Sequence, residues 1–335
     1  MSRPHLLNWS LLILVVCCLF QAPRALGQSP PARYEERERG IELYRQNQID
    51  QAIDWLKRAT KKNKADIEAW YFLGLAFVQK GNLKEATKSF ETSLKVKPTF
   101  AAGHAGLAYA LLLRDKTSEA TRAAHAAVKL DPNLIDPHYI LGAVQLKVGE
   151  YDNAIKSAET AIRINPKFAP AYLLKSRALV SFNGAAIVRA NVPRTERLTR
   201  YREAADALHK FLELSPETEE TKTWQQQLAS LRFYAGTATS AYSGREVSTK
   251  ARILNKPEPQ YSDIALRKRI HGTVVLRAIF ADDGKVKHIL IVSGLPYGLT
   301  EAAVRAASHI RFVPATLDGV PVSMFIQLEY NFNYP

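Results

Sequence analysis

Apolar residues recur with a helical period over most of this chain and with a strand period near its C-terminal end. Between residues 35 and 234, apolar and small residues return every three to four positions, which predicts amphipathic helices. From Val274 the pattern changes, because Val274, Leu276, Ala278 and Phe280 alternate with residues of the opposite face. The two periods predict a helical region followed by a smaller region that contains a sheet.

The helical region repeats itself every 34 residues. Four alanines and three prolines stand at this spacing: Ala52, Ala86, Ala120 and Ala154, with Pro98, Pro132 and Pro166. Small side chains at fixed positions let two helices approach closely, large ones fill the remaining gaps, and proline ends each unit. The period therefore predicts a stack of helix pairs, which is an all-α solenoid.

The residues around these anchors resemble the tetratricopeptide repeat (TPR). The unit with Trp70-Tyr71-Phe72-Leu73-Gly74 continues with Phe77, Gly81, Ala86, Phe90 and Pro98, and the next two units repeat this order. The resemblance implies about five repeats over residues 28–234. A fifth unit begins at Ala169 and ends at Pro216, and residues 217–234 are predicted to form a capping helix that covers it.

The TPR resemblance also implies a groove lined by the first helix of each repeat. Its expected lining residues are Tyr71, Leu75, Tyr109, Leu112, Tyr139, Ala143, Leu173 and Arg177. Tyrosine offers contact area and a hydroxyl, so the groove suits an extended or helical peptide of a partner protein. Packing of repeat against repeat explains the same tyrosines equally well, and both interpretations stay open.

Pro166 and Pro216 are 50 residues apart, which is 16 more than the period and places an insertion within residues 182–200. The insertion and its flanks are rich in arginine. A solvated loop is our preferred interpretation, because charge runs usually face water. The alternative is peripheral contact with anionic lipids of the envelope.

Residues 235–250 are rich in Gly, Ser, Thr and Ala, which predicts a linker before a C-terminal domain at residues 251–335. Asp283-Gly284 predicts a tight hairpin turn between two strands. Leu299, Ala302, Ala303, Ala306 and Ile310 then fall on one helical face, and residues 322–332 alternate again. We expect a small α+β domain with a three-stranded antiparallel sheet and helices on one face.

This C-terminal region is similar to the C-terminal domain of the TonB family. The resemblance is carried by Pro259-Gln260-Tyr261, Gly272-Thr273-Val274, Val292-Ser293-Gly294, Arg311-Phe312-Val313-Pro314-Ala315 and Gly319-Val320-Pro321-Val322. It implies that an outer-membrane transporter segment adds as a strand to the sheet edge. The implied peptide-binding residues are Pro259, Gln260, Tyr261, Met324, Phe325, Ile326, Gln327, Leu328, Glu329 and Tyr330. Glu258 and Ser262 depart from the family's Gln-Pro-x-Tyr-Pro motif, which leaves the preferred peptide open.

The N-terminal residues 1–27 have the pattern of a secretory signal peptide. Arg3 precedes an apolar run from Leu11 to Phe20, and Ala25-Leu26-Gly27 supplies small residues for cleavage. We therefore expect a periplasmic or secreted protein. The alternative is an uncleaved inner-membrane anchor with the chain facing the periplasm. Both cysteines, Cys17 and Cys18, lie in this segment, so cleavage would leave no thiol for disulfides or metal sites.

Composition and motifs point to binding rather than catalysis. The net charge of +14 and pI of about 9.7 favour anionic surfaces, but secretion and the lack of a reader motif argue against nucleic acid. No catalytic, cofactor or metal motif is found in the sequence, and we expect no enzyme activity and no cofactor. The sequence favours a periplasmic adaptor that binds proteins or peptides. The alternative is a membrane-anchored TonB-type energy transducer for outer-membrane transport.

Overall fold

The structure, a computed structural model, describes residues 34–189, 192–218, 221–236 and 241–333. The predicted signal segment 1–27 lies outside these residues. The described chain forms two compact units, one reaching to Leu174 and the other beginning at Lys175. The TPR solenoid followed by a small sheet domain is confirmed.

The first unit contains four helix pairs among its described residues. They are α1 Glu35–Arg45 with α2 Ile49–Lys62, α3 Ile67–Lys80 with α4 Leu83–Val96, α5 Ala101–Leu113 with α6 Thr117–Leu130, and α7 Ile135–Val148 with α8 Tyr151–Ile164. The first helix of each pair also contacts the first helix of the next pair. The side chains of α1, α3, α5 and α7 therefore share one layer.

Local sequence explains where these helices begin and end. The Asp66 carboxylate accepts a hydrogen bond from the Ala69 amide at 3.0 Å and caps α3. Gly81 and Gly149 end α3 and α7 with φ of 83° and 82°, a conformation that glycine adopts without strain. The four alanines of the 34-residue register are completely buried, which confirms that small residues allow close helix packing.

Phe90 of α4 lies between two glycines, Gly74 of α3 and Gly106 of α5. A methyl group at Gly74 would lie 2.7 Å from Phe90 Cε1, and the ring has no room to withdraw toward Gly106. We expect Gly74→Ala to lower the free energy of unfolding by about 1–2 kcal/mol, since overpacking outweighs the gain in helix propensity. Urea unfolding measures this change.

Gly244→Ala is the matched control, because a methyl group there meets its nearest atom, Lys250 Cε, only at 3.5 Å. An unchanged stability of Gly74→Ala would mean that Phe90 can move, contrary to the packing described.

The second unit contains longer helices than the repeat predicts. The helix α9 Ala169–Arg189 begins in the first unit and continues into the second, where α10 Arg194–Leu214 and α11 Thr221–Ala235 follow. Both α9 and α10 have 21 residues, against 14 in α8. The loop interpretation of the insertion is therefore wrong. Seven added residues are close to two helical turns, so the insertion lengthens both helices and preserves the orientation of their buried faces.

Two arginines of the insertion are engaged within these helices. The Arg200 guanidinium pairs with Glu196 at 3.0 Å and lies 3.6 Å from the centre of the Phe182 ring. Arg197 donates to the Val192 carbonyl at 2.6 Å. A helix, α11, occupies most of the segment predicted to cap the repeats and begins at Thr221, whereas Glu217 and Thr218 are not helical.

The C-terminal sheet has more strands than predicted. Its long strands are β3 Gly272–Phe280, β4 Val286–Ser293 and β7 Val320–Phe332, in the order β7-β3-β4. Short strands β1 Ala241–Tyr242 and β6 Ala315–Leu317 pair with β7, and β2 Arg252–Asn255 pairs with β5 Arg311–Val313. The prediction of three strands is incomplete, because strands of two to four residues are too short to show a period.

The predicted hairpin turn at Asp283-Gly284 is observed between β3 and β4, where Gly284 has a φ of 77°. A second turn joins β6 and β7, where Asp318 and Gly319 have φ of 52° and 81°. In this second turn, positive φ at both central positions matches the right-handed twist of paired strands.

The sheet is covered on both faces. On one face, Val274, Leu276, Ala278 and Phe280 of β3 pack against α13 Leu299–Ser308, together with the short helix α12 Asp263–Arg267. On the other face, the Tyr234 ring of α11 packs at a tilt against Phe325 of β7, with ring centres 5.7 Å apart. Helices on one face alone were expected, and α11 provides a second layer.

Candidate functional site

The strand β7 has one edge that is only partly paired. Residues Met324 to Phe332 pair with β3 along one side. On the other side, β1 pairs with Ser323 and Met324, while β6 pairs with residues 320–322 at the start of β7. Within the described ranges, residues 325–332 have no strand on that side. We call residues 325–331 of β7 the open edge.

The outer edge of β4, on the opposite side of the sheet from β7, is blocked by the side chain of Gln227. Gln227 of α11 donates through Nε2 to the Ile289 carbonyl at 3.1 Å and accepts at Oε1 from the Ile291 amide at 2.9 Å. Its amide group therefore satisfies the outer backbone groups of β4 as a neighbouring strand would. The open edge of β7 is thus the longer unpaired backbone stretch in the described sheet.

Lys256 lies against the open edge. Its Nζ donates to the Glu329 carbonyl at 2.7 Å and lies 4.4 Å from the centre of the Tyr330 ring. The Glu329 carbonyl therefore faces away from β3. Since outward and inward backbone groups alternate along an antiparallel strand, the amide and carbonyl groups of Phe325, Gln327, Glu329 and Asn331 face outward.

The segment 256–261 runs beside the end of β7. The Tyr261 ring packs edge-on against Phe332 at 5.3 Å, and its hydroxyl donates to the Ile270 carbonyl. Burial, with the charge of Glu258 as a smaller cause, raises the pKa of Tyr330 to about 12. Pro259 is half-buried and Gln260 is exposed. The structure thus brings together the two segments that the TonB resemblance singles out.

The side chains of β7 divide between the two faces. Met324, Leu328 and Tyr330 are buried in the sheet core, and Ile326 packs against it. Phe325, Gln327 and Glu329 point to the opposite face, where Phe325 meets Arg277 and Tyr234. Their side chains differ in role, but all seven predicted β7 residues contribute backbone groups to this strand.

The predicted groove residues of the repeats are mostly buried. Tyr71, Leu75, Tyr109, Leu112, Tyr139 and Leu173 are each at most 8% exposed, whereas Ala143 and Arg177 are partly exposed. Tyr71 packs against Phe72, Phe90 and Phe100, and Tyr139 packs against Phe168. Arg177 belongs to the second unit. Repeat packing is therefore one role of these tyrosines.

Five residues on the first helices of the repeats form an electrostatically linked group, which we call the tyrosine cluster. It consists of Tyr44, Tyr71, Tyr109, Asp136 and Tyr139. The charge of Asp136 raises the pKa of Tyr71, and Tyr44 and Tyr139 raise that of Tyr109, in addition to the larger effect of burial. These interactions place residues of α1, α3, α5 and α7 close together.

Asp136 is the charged member of this cluster. Burial raises its pKa from 3.8 to about 7. Its Oδ1 and the Tyr109 hydroxyl are buried and have no hydrogen-bond partner among the described residues. An unpaired buried polar atom costs about 1–3 kcal/mol, so two in one cluster call for an explanation.

Sequence reasoning overlooks four residues that define these sites: Lys256, Gln227, Tyr44 and Asp136. Lys256 and Gln227 act on strands far away in the sequence, and no local pattern reveals them. Asp136 does carry a signal, because it precedes Tyr139 by three residues and so shares its helix face.

Two further features, a membrane-spanning helix and a metal site, are absent from the part of the chain that the structure describes. Among the residues that the structure describes, no helix combines the length and the apolar character needed to cross a membrane. The same residues contain no group of three or more His, Cys, Asp or Glu side chains that could hold a metal ion.

Comparisons with family models match both regions. Residues 257–334 match the Gram-negative bacterial TonB protein C-terminal, a domain of the Gram-negative envelope. Residues 40–81 match a TPR repeat, and residues 67–100 and 135–168 match the tetratricopeptide repeat. No curated protein matches the chain.

Solved structures resemble the helical part of the chain. MamA is 26% identical with a TM-score of 0.42, and the match covers 58% of this chain and 99% of that chain. A thermophilic TPR protein of Thermus thermophilus is 21% identical with a TM-score of 0.48, covering 60% and 99%. PilF of Pseudomonas aeruginosa is 18% identical with a TM-score of 0.49, covering 61% and 87%. From the family models, this chain carries tetratricopeptide repeats followed by a TonB C-terminal domain, two modules of protein–protein interaction.

Proposed function

We propose that this protein is a periplasmic adaptor of the Gram-negative envelope. Its repeats bind one protein partner through the first helices, and its TonB C-terminal domain captures an extended segment of another by strand addition. The open edge of β7 is the observation that carries the second part. An unpaired edge offers backbone donors and acceptors in register, and side-chain contacts then select the sequence.

The edges of the sheet favour β7 over β4 as the docking strand. A strand added to β4 would have to displace the paired amide of Gln227. A strand added to β7 between Phe325 and Asn331 would compete with Lys256 alone among the described contacts to the outward backbone groups. The adjoining segment 259–261 would then lie within reach of the added peptide.

Removal of the Lys256 side chain is expected to strengthen peptide binding. Because Lys256 Nζ occupies the Glu329 carbonyl, an incoming strand must break this hydrogen bond before it can pair there. A charged hydrogen bond at an exposed site is worth about 0.5–1 kcal/mol, so Lys256→Ala should tighten binding about two- to fivefold. Fluorescence anisotropy of labelled peptides measures the change.

Lys285→Ala removes the same charge from the exposed turn between β3 and β4, and it should leave the affinity unchanged. A weaker affinity for Lys256→Ala would show that Lys256 assists binding rather than competing with it.

Site-specific disulfide formation tests strand addition. After Cys17 and Cys18 are replaced by serine, a cysteine introduced by Gln327→Cys is the sole thiol of the chain. Synthetic TonB-box peptides of outer-membrane transporters, each carrying one cysteine, should cross-link to it at positions that shift by two along the peptide. Lys285→Cys is the control. Equal cross-linking of the Gln327→Cys and Lys285→Cys variants would refute docking at the open edge.

The N-terminus of the native protein distinguishes the proposed periplasmic adaptor from a membrane-anchored energy transducer. N-terminal sequencing of the native protein should find a start at Gln28, after removal of residues 1–27. A start at Met1 or Ser2 in the membrane fraction would instead favour the anchored energy transducer.

A further inference from the structure

The tyrosine cluster of the repeats contains a partly exposed carboxylate, Asp136, whose Oδ1 is buried and has no hydrogen-bond partner among the described residues. Burial is the cause that raises the pKa of Asp136, and the charged side chains of α6 and α8, which pack against α7, contribute no shift. Carboxylates are seldom buried without a partner, because desolvation of the charged form is expensive. Asp136 therefore resembles one half of an ion pair.

The neighbours of Asp136 are suited to a cation. Tyr71 on α3 interacts with it electrostatically, and Tyr139 lies one helical turn further along α7. The faces of tyrosine rings attract cations, most strongly where water is excluded.

Repeat packing alone does not explain the carboxylate. Tyr71 and Tyr139 gain packing energy from Phe100 and Phe168. Asp136 lies in the first turn of α7, where the helix dipole stabilises a negative charge by about 0.3–1 kcal/mol, but its Oδ1 meets no donor among the described residues. An asparagine or leucine would fill this position without a buried charge. A ligand that supplies the missing positive charge would explain why this position holds a carboxylate.

We propose that the tyrosine cluster binds a lysine or arginine side chain of the partner protein, with its charge against Asp136, which is partly exposed. This inference rests on the proposed function, in which the first helices of the repeats bind a protein partner. It adds the chemistry of recognition. The site selects a basic residue.

Selection of peptides on the full-length chain tests the proposal. Random 12-residue peptides displayed on phage should enrich for a lysine or arginine at a common position. Replacing that residue by norleucine or citrulline should weaken binding at least tenfold in the unchanged protein. Asp136→Asn should weaken binding of the original peptide by a similar factor, and the two changes together should cost little more than either alone.

The dependence on pH gives a second measurement. Protonation of Asp136, with its pKa of about 7, should reduce affinity about tenfold between pH 8 and pH 6, because the carboxylate is ionised in a tenth as many molecules. Burial raises the pKa of Tyr71 and Tyr109, so both hydroxyls stay neutral over this range. His104 of α5 and His138 of α7 bond to the carbonyls of Pro98 and Pro132. Asp136→Asn retains both histidines, so any pH dependence left in this variant does not come from Asp136.

The outcomes distinguish this inference from the function on which it rests. Asp54→Asn changes the same charge at an exposed position of α2 and should not affect binding. Peptides that lose affinity with Tyr139→Ala but lack a basic residue, or tolerate Asp136→Asn, would refute the cation site and leave the peptide groove intact. Failure to enrich any peptide sensitive to Tyr139→Ala would refute both.

Discussion

Replacement of Asp136 by asparagine is expected to raise the free energy of unfolding by about 4 kcal/mol at pH 8. The pKa of this carboxyl is about 7 in the folded chain, against an ordinary value of 3.8. Between these values the folded state holds a proton that the unfolded state has released, so the stability of the unchanged protein falls as pH rises. The asparagine variant has no titrating proton at this position, so its stability does not decrease with pH for this reason.

The gain should therefore depend on pH in a defined way. It should be about 0.5 kcal/mol at pH 4, where the carboxyl is protonated in the folded state and about half ionised in the unfolded state, and should reach its full value above pH 7. Urea unfolding at four pH values, followed by circular dichroism, measures the curve. Asp54→Asn should show no such dependence. A constant difference across the range would mean that Asp136 is not desolvated in the folded chain.

A carboxylate that lowers stability is informative about function. Sites that bind ligands often retain groups that weaken the folded state, because the ligand supplies the missing interaction. If Asp136→Asn stabilises the chain and also weakens the binding of basic peptides, both results have the same cause. Asp136 then lowers the stability of the free protein and gains its missing interaction when a cation binds.

Replacement of Gln227 by leucine is expected to lower the free energy of unfolding of the second unit by about 2–4 kcal/mol. Leucine fills a similar volume but cannot bond to the Ile289 carbonyl or the Ile291 amide. Gln227 is 6% exposed, so two backbone groups would be left unpaired in a region that excludes water. Urea unfolding measures the loss, and faster hydrogen exchange at the Ile291 amide would locate it.

The neighbouring Gln226 provides the control. It is exposed on the same helix, so Gln226→Leu should change stability by less than about 0.5 kcal/mol. A loss of the same size in both variants would indicate a general effect of leucine on α11. A stable Gln227→Leu would indicate that water satisfies the β4 edge.

Much of the fold can be predicted from the sequence because its patterns are local or periodic. The 34-residue register locates the helix pairs, since every unit meets the same packing constraint at Ala52, Ala86, Ala120 and Ala154. The alternation of Val274 to Phe280 and the turn at Asp283-Gly284 locate the main hairpin. The insertion was harder to predict, because its arginines resemble a solvated loop whereas the chain around them continues two helices.

The candidate sites likewise have features that the sequence predicts and features that it does not. The alternating residues of β7 mark it as a strand, and the position of Tyr139 within its repeat marks it as part of the first-helix layer. Neither pattern shows which strand edge is left unpaired or which buried group lacks a partner. Those properties depend on Gln227, Lys256 and Asp136, whose neighbours come from distant parts of the chain.

By itself, the sequence of this protein determined the repeats, the three long C-terminal strands and the helix that packs on them. Each of these follows from side chains that recur at short, regular intervals. Only the tertiary structure decided that α11 covers the second face of the sheet and closes the β4 edge, that the outer edge of β7 stays open from Phe325 to Asn331, and that the Oδ1 of Asp136 is buried without a hydrogen-bond partner among the described residues. The physical reason is that pairing and desolvation depend on which groups meet in space, and the chain brings them together from far apart.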